Sequence, residues 1–546
     1  MRPPGVRAAR ADPICAPGPG RIRLARWLRE GSLLAGALLG LAACGPPQTS
    51  TPVTTTPEQQ IVPAWIGLGP TQTSTPTPTS TPTPHPILRL MPPTRFPGEL
   101  FRTPTPDPVR RMPALRTETV VHIVQPGESV GTIASLYNVG PGAVLAANGL
   151  PNPNYLYIGQ VLIIPPPYPL DVGPAFKIIP DSELVYGPAS SLFDTRSAVS
   201  AWDGHLNHYA EEIEGSVLDG PGIVQLVAQR YSVNPRLLLA VLEYQGGWVT
   251  RTDISAERTS YPVGYVRTGY EGLFSQLSWA ADELNAGYYR WRAGWAGPIV
   301  LMDGNVIPPG VGINAGTAAL EWLFAGLYPD YLWRQVVDEE GFYQDYVRLF
   351  GIPFDYAVEP VYPNHLAQPE LALPIEEGTT WSFTSGPHSA WGTGAAWAAL
   401  DFAPPGDALG CVLSNEWVVA SADGLVVRAD QGEVILDLDR DGLEETGWVI
   451  LYMHIDSRGR VRAGEELRAG DRIGHPSCEG GVSSGTHLHI ARKYNGEWIP
   501  ADGEIPFDLD GWVSAGYGEE YNGTLTRGDI VLEACACLGT GNQVWR

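Results

Sequence analysis

The spacing of hydrophobic residues changes several times along the chain and predicts several domains. Residues 119–167 show a strand, two short helices and a second strand. From 175 to 360 the apolar positions recur at helical spacing, which predicts a mostly α-helical middle domain. From 375 to 515 short apolar runs after glycine turns predict a β-rich domain, and residues 516–546 are interpreted as a C-terminal tail.

A long stretch without a hydrophobic period precedes these domains. Residues 44–118 are rich in Thr, Pro and Ser, with runs such as TSTPTPTSTPTPHP, so they cannot form a packed core. We expect a disordered, extended tether, since polyproline geometry rises by about 3 Å per residue.

The N-terminus has the pattern of an export signal. Four arginines between positions 21 and 29 precede an apolar run, residues 31–43, that is shorter than the about 20 residues needed to span a bilayer. The run ends in Leu41-Ala42-Ala43-Cys44, which resembles the lipobox of bacterial lipoproteins. The resemblance implies that residues 1–43 are a signal peptide and that a lipid on Cys44 anchors the exported protein to the outer face of the cell membrane. The alternative is an ordinary signal peptide followed by an incidental cysteine.

Composition restricts the partners and the redox state. The 546 residues carry a formal net charge of −24, which argues against binding nucleic acid or anionic lipid through bulk electrostatics. Four cysteines follow the lipobox, and we expect them to be oxidised because disulfides form in exported proteins. They are Cys411, Cys478, Cys535 and Cys537. A bridge within C-x-C is cramped, which favours the pair Cys411–Cys478.

The first folded stretch resembles a LysM module over its whole length. The matching pieces are VQPGESVGTIASLYNV, VLAANGL and YIGQVLIIP. The resemblance implies a small βααβ domain that binds glycan containing N-acetylglucosamine in a groove between two loops. The loop residues implied are Pro126, Gly127, Glu128, Asn152, Pro153 and Asn154. The alternative is a small adaptor without glycan binding.

The middle domain faintly resembles lytic transglycosylases of the lysozyme superfamily. The run 237–248, LLLAVLEYQGGW, matches their helix with a general-acid glutamate, but the catalytic position holds Gln245. An amide cannot donate the proton that a carboxylic acid donates. Glu243 lies two residues earlier, about 200° around the helix, and cannot simply replace it. We therefore expect a non-catalytic glycan-binding or structural module, with an active glycosidase as the alternative.

Histidines and one aspartate in the β-rich domain suggest a metal centre. His487 and His489 are two residues apart on a predicted strand, so they face the same side. His454 follows another apolar strand, and His388 follows a Ser-Gly-Pro turn. Asp401 sits within an apolar strand, where a bare carboxylate is costly unless it binds a cation or backbone donors. Imidazole and carboxylate ligands with an open fourth position suit catalytic zinc.

Residues 380–490 closely resemble the lysostaphin-type, or LytM-like, zinc endopeptidases. The resemblance rests on His388, Asp401, Tyr452-x-His454, the glycine-rich stretch 461–474, and the run 485–489, GTHLH. It implies an antiparallel β domain of the duplicated hybrid motif type. It also implies that His388, Asp401 and His489 bind Zn²⁺ and that His454 and His487 are catalytic. Twelve residues separate His388 from Asp401, as in one subgroup of the family with a long insertion there.

Together, these resemblances imply a membrane-anchored cell-wall hydrolase. The family resemblance implies zinc-dependent cleavage of peptide stems or cross-bridges of peptidoglycan, with His454 or His487 accepting the proton of water. The alternatives are a non-enzymatic activator of amidases and a glycan-cleaving enzyme that acts through the middle domain. The loop 437–442, DLDRDG, resembles the start of a calcium loop, but Trp448 stands where the twelfth-position Glu would be, so a charged hairpin tip is favoured.

Overall fold

The computed structural model describes residues 116–546 except 138, 154, 168–171, 295–296, 407–409 and 538. The predicted signal peptide, Cys44, the tether up to residue 115 and Asn154 lie outside the described residues. Within the described part, no helix combines the length and apolarity that crossing a membrane requires.

Helices dominate the region between the small N-terminal domain and the C-terminal sheets. The α-helices are α1 Val130–Leu136, α2 Pro141–Ala147, α3 Thr195–Trp202, α4 Gly220–Tyr231, α5 Pro235–Gly246, α6 Ala256–Ser260, α7 Leu273–Arg292, α8 Ala315–Ala325, α9 Asp330–Val336 and α10 Phe342–Phe350.

The strands fall mostly after residue 380. They are β1 Val120–Ile123, β2 Val161–Ile164, β3 Ala210–Ile213, β4 Ser216–Asp219, β5 Ile299–Val300, β6 Val306–Ile307, β7 Thr380–His388, β8 Ala399–Ala403, β9 Val418–Val419, β10 Gly424–Asp430, β11 Glu433–Asp437, β12 Trp448–Met453, β13 Glu466–Leu467, β14 Arg472–Gly474, β15 Leu488–Tyr494, β16 Glu497–Trp498, β17 Asp508–Leu509, β18 Trp512–Gly516, β19 Gly523–Arg527, β20 Ile530–Glu533 and β21 Gln543–Trp545.

The first domain has the predicted order of strand, helix, helix and strand. β1 and β2 pair antiparallel, with Val121 opposite Ile163. Apolar residues of α1, α2 and β2, including Ile133 and Val144, form a small core of their own. The predicted βααβ fold is confirmed.

The middle region is mostly helical, as predicted. α5 begins after Asn234, whose side chain accepts a hydrogen bond from the Arg236 N–H, and proline fills the first helical position. Its residues 237–242 are all buried, so this helix lies at the centre of the region. α7 packs against α8 at Gly287, where an added Cβ would lie 2.7 Å from the Ala319 Cα.

The C-terminal region is built on an antiparallel sheet of the order β13-β10-β11-β12-β15-β8-β7-β21. Along β15 the side chains alternate: Leu488 and Ile490 pack in the core of the C-terminal region, while Ala491 belongs to the core shared with the helical region. The helical region therefore covers part of one face of this sheet, and His489 lies on that same face.

Residues 516–546, interpreted as a tail, are folded. β18 and β19 join β17 and β20 in a second antiparallel sheet, and β21 pairs with β7 at the edge of the main sheet. The buried Val544 adds to the core of the C-terminal region. The short strands and polar turns of this segment gave no strong period, and long-range pairing decides its structure.

Candidate metal centre

Three adjacent strands bring the predicted metal ligands together. β7 ends at His388, β8 carries Asp401 and β15 carries His489. In the register of the sheet, Asp401 lies opposite His489 on one side and opposite Ser385 of β7 on the other. The three side chains offer ligand atoms that all lie within 4.8 Å of one another.

Hydrogen bonds to peptide carbonyls fix which ring nitrogen of each ligand histidine is free. His388 Nδ1 lies 2.8 Å from the Gly386 carbonyl oxygen, and His489 Nε2 lies 3.0 Å from the Ala390 carbonyl oxygen. A carbonyl can only accept, so these nitrogens carry the protons. The lone pairs of His388 Nε2 and His489 Nδ1 therefore face each other across 3.0 Å.

The Asp401 carboxylate completes this converging set. Its Oδ1 lies 3.3 Å from His388 Nε2 and 3.2 Å from His489 Nδ1. Among the described residues, no donor is aligned to hydrogen-bond this buried oxygen. Two nitrogen lone pairs and one orphaned carboxylate oxygen thus point at a common position, which is the donor set of catalytic zinc. The arrangement fits a metal ion better than a carboxylate satisfied by backbone donors.

Two further histidines flank the triad, and their rings are held in the same way. His454 Nδ1 lies 2.9 Å from the Glu479 carbonyl oxygen, and His487 Nδ1 lies 2.7 Å from that of Gly485. Their ring centroids are 4.4 Å apart. His487 Nε2 points towards Asp401 Oδ1 at 3.7 Å. Both histidines thus keep Nε2 free at the edge of the ligand set.

Tyr452, two residues before His454, has a structural role. Tyr452 is fully buried, and its hydroxyl accepts a hydrogen bond from the Ser421 N–H at 2.7 Å.

His454 follows the end of β12 and has a φ of +64°, a strained left-handed value for a non-glycine residue. This turn brings its ring beside His487 rather than along the strand.

Burial and neighbouring charges shift the pKa values of the site. Burial opposes ionisation of Asp401, but the His388, His489 and His487 rings together outweigh it and hold the pKa of Asp401 well below its usual range. Burial also opposes protonation of His388, but the Asp401 carboxylate raises the pKa of His388. Burial, aided by His487 and His489, lowers the pKa of His454 to about 3. His454 is therefore neutral at neutral pH, with an unprotonated Nε2.

The C-terminal segment forms part of the site, which the sequence analysis did not predict. The Tyr521 ring stacks on His388 with centroids 4.9 Å apart, and Glu520 accepts a hydrogen bond from the Ser389 N–H. A cleft of about 530 Å³ beside Asp401 and His487 is bordered by Cys537. No local motif marks Tyr521, because only the tertiary fold brings it to the site.

Two disulfides border this region. Cys411 bonds to Cys478, the favoured pair, and Cys535 bonds to Cys537. Cys478 directly precedes Glu479, whose carbonyl holds His454. The first bridge therefore ties residues 410–412, which flank Cys411 and line the cleft, to the segment that orients His454.

The predicted glycan-binding residues are placed on two loops of the LysM domain. Pro126, Gly127 and Pro153 are exposed, and Asn152 is half-buried. Glu128 accepts hydrogen bonds from the Gln125 N–H and from His122 Nε2, at 2.6 and 2.7 Å, so it also shapes its own loop. Glycan binding by these residues stays a prediction.

The glutamate and glutamine singled out in α5 are engaged inside the helical region. Glu243 accepts hydrogen bonds from the Val249 and Thr250 N–H groups and from Arg348. Gln245 accepts one from the Tyr328 hydroxyl at 2.9 Å. Neither offers a free carboxylic acid for glycosidic cleavage.

The aspartates of the loop 437–442 lie close together. Asp437, Asp439 and Asp441 offer oxygens within 4.8 Å of one another. Asp437 already accepts hydrogen bonds from the Asp439, Arg440 and Gly442 N–H groups. The loop is thus stabilised by its own backbone, which agrees with a hairpin tip.

Comparison with family models identifies three domains. Residues 122–165 match the LysM domain, residues 177–361 match the LasA N-terminal domain, and residues 409–500 match peptidase family M23. The chain therefore contains stretches that match a LysM domain, a LasA N-terminal domain and peptidase family M23. The M23 match includes His454, His487 and His489, whereas His388 and Asp401 precede it.

Individual proteins are similar to this chain over part of its length. Protease LasA of Pseudomonas aeruginosa is 29% identical over 306 residues, which span 50% of this chain and 66% of the relative. A solved structure of the M23 metalloprotease pseudoalterin from the deep sea is 22% identical, covers 33% of this chain and 100% of its own, and gives a TM-score of 0.27. The solved catalytic domain of lysostaphin from Staphylococcus simulans is 23% identical to this chain. The match covers 22% of this chain and 87% of that domain, with a TM-score of 0.16.

Proposed function

We propose that this protein is an exported cell-wall hydrolase, a zinc-dependent endopeptidase that cleaves the peptide stems or cross-bridges of peptidoglycan. The observation that carries the proposal is the convergence of His388 Nε2, His489 Nδ1 and the orphaned Asp401 Oδ1 on one position. Peptide carbonyls pre-orient both imidazoles, so the ligand set needs little rearrangement to hold an ion.

The residues around the ligand set suit amide hydrolysis. A zinc ion held there would polarise the scissile carbonyl and make water a better nucleophile. His454 and His487 keep their Nδ1 protons on peptide carbonyls, so each has only Nε2 free to take a proton from water. The same nitrogen can then return that proton to the departing amine. The stacked Tyr521 shields His388 on one side of the site.

The other regions support the choice of substrate. A LysM domain suggests glycan binding. Residues 177–361 match the LasA N-terminal domain, and Protease LasA is similar over 50% of this chain. The tether and the lipid on Cys44 would leave the enzyme anchored to the membrane but able to reach the wall. Since the chain is strongly acidic, wall binding would depend on specific sugar contacts.

Two other functions have less support. An amidase activator without catalysis would not need the five polar residues that this site brings together. A glycosidase in the helical domain would need a carboxylic acid, and there Gln245 and the engaged Glu243 supply none.

Digestion of purified peptidoglycan tests the proposal. The full chain is incubated with and without a chelator, and a His489→Ala variant serves as the matched inactive control. We expect new amino termini in mass spectra of the fragments, and we expect both the chelator and the substitution to abolish them. New reducing or anhydro sugar ends that persist with the chelator would contradict the proposal.

The membrane anchor has a separate test. Cys44→Ala should move the protein from the membrane fraction to the soluble fraction of fractionated cells. If the variant remains with the membranes, the lipid anchor is wrong, and the peptidase proposal is unaffected.

A further inference from the structure

We propose that helix α7 of the helical domain supports the metal centre, and that Asp282 on this helix is a positioning residue for the zinc ligands. The inference rests on the proposed function, because it assigns a role towards the same ligand set. Asp282 acts through the loop of residues 389–398, which joins His388 to the strand of Asp401 and is called the ligand loop below.

A single carboxylate holds the tip of the ligand loop. Asp282 Oδ1 accepts hydrogen bonds from the Thr393 and Gly394 N–H groups, both at 2.8 Å, and Oδ2 accepts one from the Thr393 hydroxyl at 2.5 Å. Hydrogen bonds to a charged acceptor are worth about twice as much as neutral ones. The tip is therefore fixed to another domain rather than to its own sheet.

Glycines allow the loop to lie directly on the helix. A Cβ at Gly394 would be only 2.0 Å from the Asp282 carbonyl oxygen and 2.9 Å from the Ala286 nitrogen. Gly392 has a φ of +64°, and its Cβ would be 2.3 Å from Asp282 Oδ1. Since a backbone oxygen cannot move aside cheaply, any side chain at 394 would push the loop off α7.

The position of the ligand loop affects all three ligands. Its two ends lead directly into His388 and into β8 with Asp401, so the chain transmits a displacement to both. The third ligand depends on it through a hydrogen bond, because the Ala390 carbonyl of this loop accepts the His489 Nε2 proton. Losing that contact would free the His489 ring to turn and would remove the control of its tautomer.

Internal hydrogen bonds make the loop stiff enough to transmit such a change. The Ala390 N–H donates to the Ala396 carbonyl at 3.0 Å, and the Ser389 hydroxyl donates to the Ala395 carbonyl at 3.1 Å. Trp391 packs against Tyr231 and under the Arg230 guanidinium, both on α4. The helical domain thus supports the loop at its tip and along one side.

Cobalt substitution of the full-length chain tests the role of Asp282. The visible absorption of bound Co²⁺ reports ligand geometry, and competition with a chromogenic chelator reports affinity for Co²⁺ and Zn²⁺. We expect Asp282→Ala to weaken metal retention about tenfold and to change the Co²⁺ spectrum, as loss of outer contacts does at other metal sites. Asp282→Asn keeps an acceptor for the two N–H groups and should show a smaller change in both measurements.

Two further variants keep the test decisive. Gly394→Ala should give the same spectral change as Asp282→Ala, because it displaces the loop without removing the carboxylate. Thr393→Val removes only the hydroxyl donor and should weaken retention about threefold, so it serves if Asp282→Ala does not fold. Glu283→Gln is the matched control, since Glu283 is the next residue on α7 and accepts a hydrogen bond from Trp322 Nε1 within the helical domain.

The outcomes separate this inference from the proposed function. Unchanged affinity and spectrum in folded Asp282→Ala and Gly394→Ala proteins, with a normal metal-binding wild type, would overturn the role of Asp282 alone. A wild-type chain that binds neither Co²⁺ nor Zn²⁺ would overturn the proposed function, and the inference with it. A spectral change in Glu283→Gln equal to that in Asp282→Ala would also overturn the specific role of Asp282.

Discussion

At the scale of single residues, backbone carbonyls separate ligand histidines from proton-transfer histidines. All four rings donate one proton to a peptide carbonyl, but the free nitrogens of His388 and His489 meet each other, whereas those of His454 and His487 lie at the edge. The same chemical group can therefore serve two roles, and the roles are distinguishable by substitution.

Alanine substitutions should separate binding from catalysis. We expect His489→Ala to lose the metal, because one of three ligands is removed. His487→Ala should retain about one metal ion per chain and lose about 10²- to 10⁴-fold in the rate of peptide cleavage, as removal of a general acid–base does. Metal analysis of dialysed protein and a peptide-cleavage assay check both. If His487→Ala loses metal as readily as His489→Ala, the assignment of roles is wrong.

A buried glutamate outside the metal centre makes the stability of the protein depend on pH. Glu321 on α8 is 1% exposed, its Oε2 has no hydrogen-bond partner among the described residues, and burial raises its pKa to about 8. Since the folded state holds this proton more tightly than the unfolded chain, the stabilising contribution is complete below the ordinary pKa of 4.5. It is lost progressively as the pH rises towards 8.

Glu321→Gln should remove this loss. The difference in unfolding free energy between variant and wild type should shift in favour of the variant by a few kcal/mol between pH 5 and pH 8. Urea unfolding at several pH values measures it. Glu466→Gln, at an exposed position of β13, is the control and should show no such trend. An equal pH trend in the two variants would contradict the prediction.

At the scale of secondary-structure elements, residues 516–546 support the strand that carries His388. β21 pairs with β7, and the Asn542 side chain donates hydrogen bonds to the Phe383, Cys535 and Cys537 carbonyls. Deleting these residues would uncover the edge of β7 and remove the ring stacked on His388.

Truncation after residue 515 should therefore cost both stability and metal binding. We expect a melting temperature lower by about 5 °C or more, or failure to fold, and loss of bound zinc. Deletion of the LysM domain, residues 119–167, is the control and should leave zinc binding intact. A truncated protein with unchanged melting temperature and zinc content would show that the segment is dispensable.

The sequence predicted those elements whose structure depends on local pattern. The βααβ order follows from the hydrophobic periodicity. The prediction that His487 and His489 face the same side follows from the alternation of side chains along a strand. The roles of Tyr521 and Asp282 could not be predicted, because they lie 32 residues after His489 and 106 residues before His388 in the chain and reach the site only through tertiary packing. The C-terminal strands escaped prediction for the same reason, since strand formation depends on pairing partners.

At the scale of the whole molecule, a buried network of charges joins the helical domain to the sheet of the peptidase domain. Arg230 of α4 donates from Nε to Glu433 of β11 at 2.9 Å and pairs with Glu214 at 2.8 Å. Glu433 also pairs with Arg428, which reaches Glu444 at 3.4 Å. These groups lie between the two regions, so a buried charge of one domain is paired with a charge of the other.

Because of this network, the helical and peptidase domains should unfold together. Arg230→Met would keep the volume but leave Glu433 with one cation, so we expect a loss of about 3 kcal/mol in unfolding free energy. Arg196→Met is the matched control, because Arg196 pairs with Asp219 at the surface of the same domain, where such pairs contribute about 0–1 kcal/mol. Urea unfolding followed by tryptophan fluorescence and by circular dichroism should give one coincident transition for the wild type. Two separated transitions, or equal losses in the two variants, would show that the domains are only loosely joined and that the ligand loop is supported by a movable neighbour.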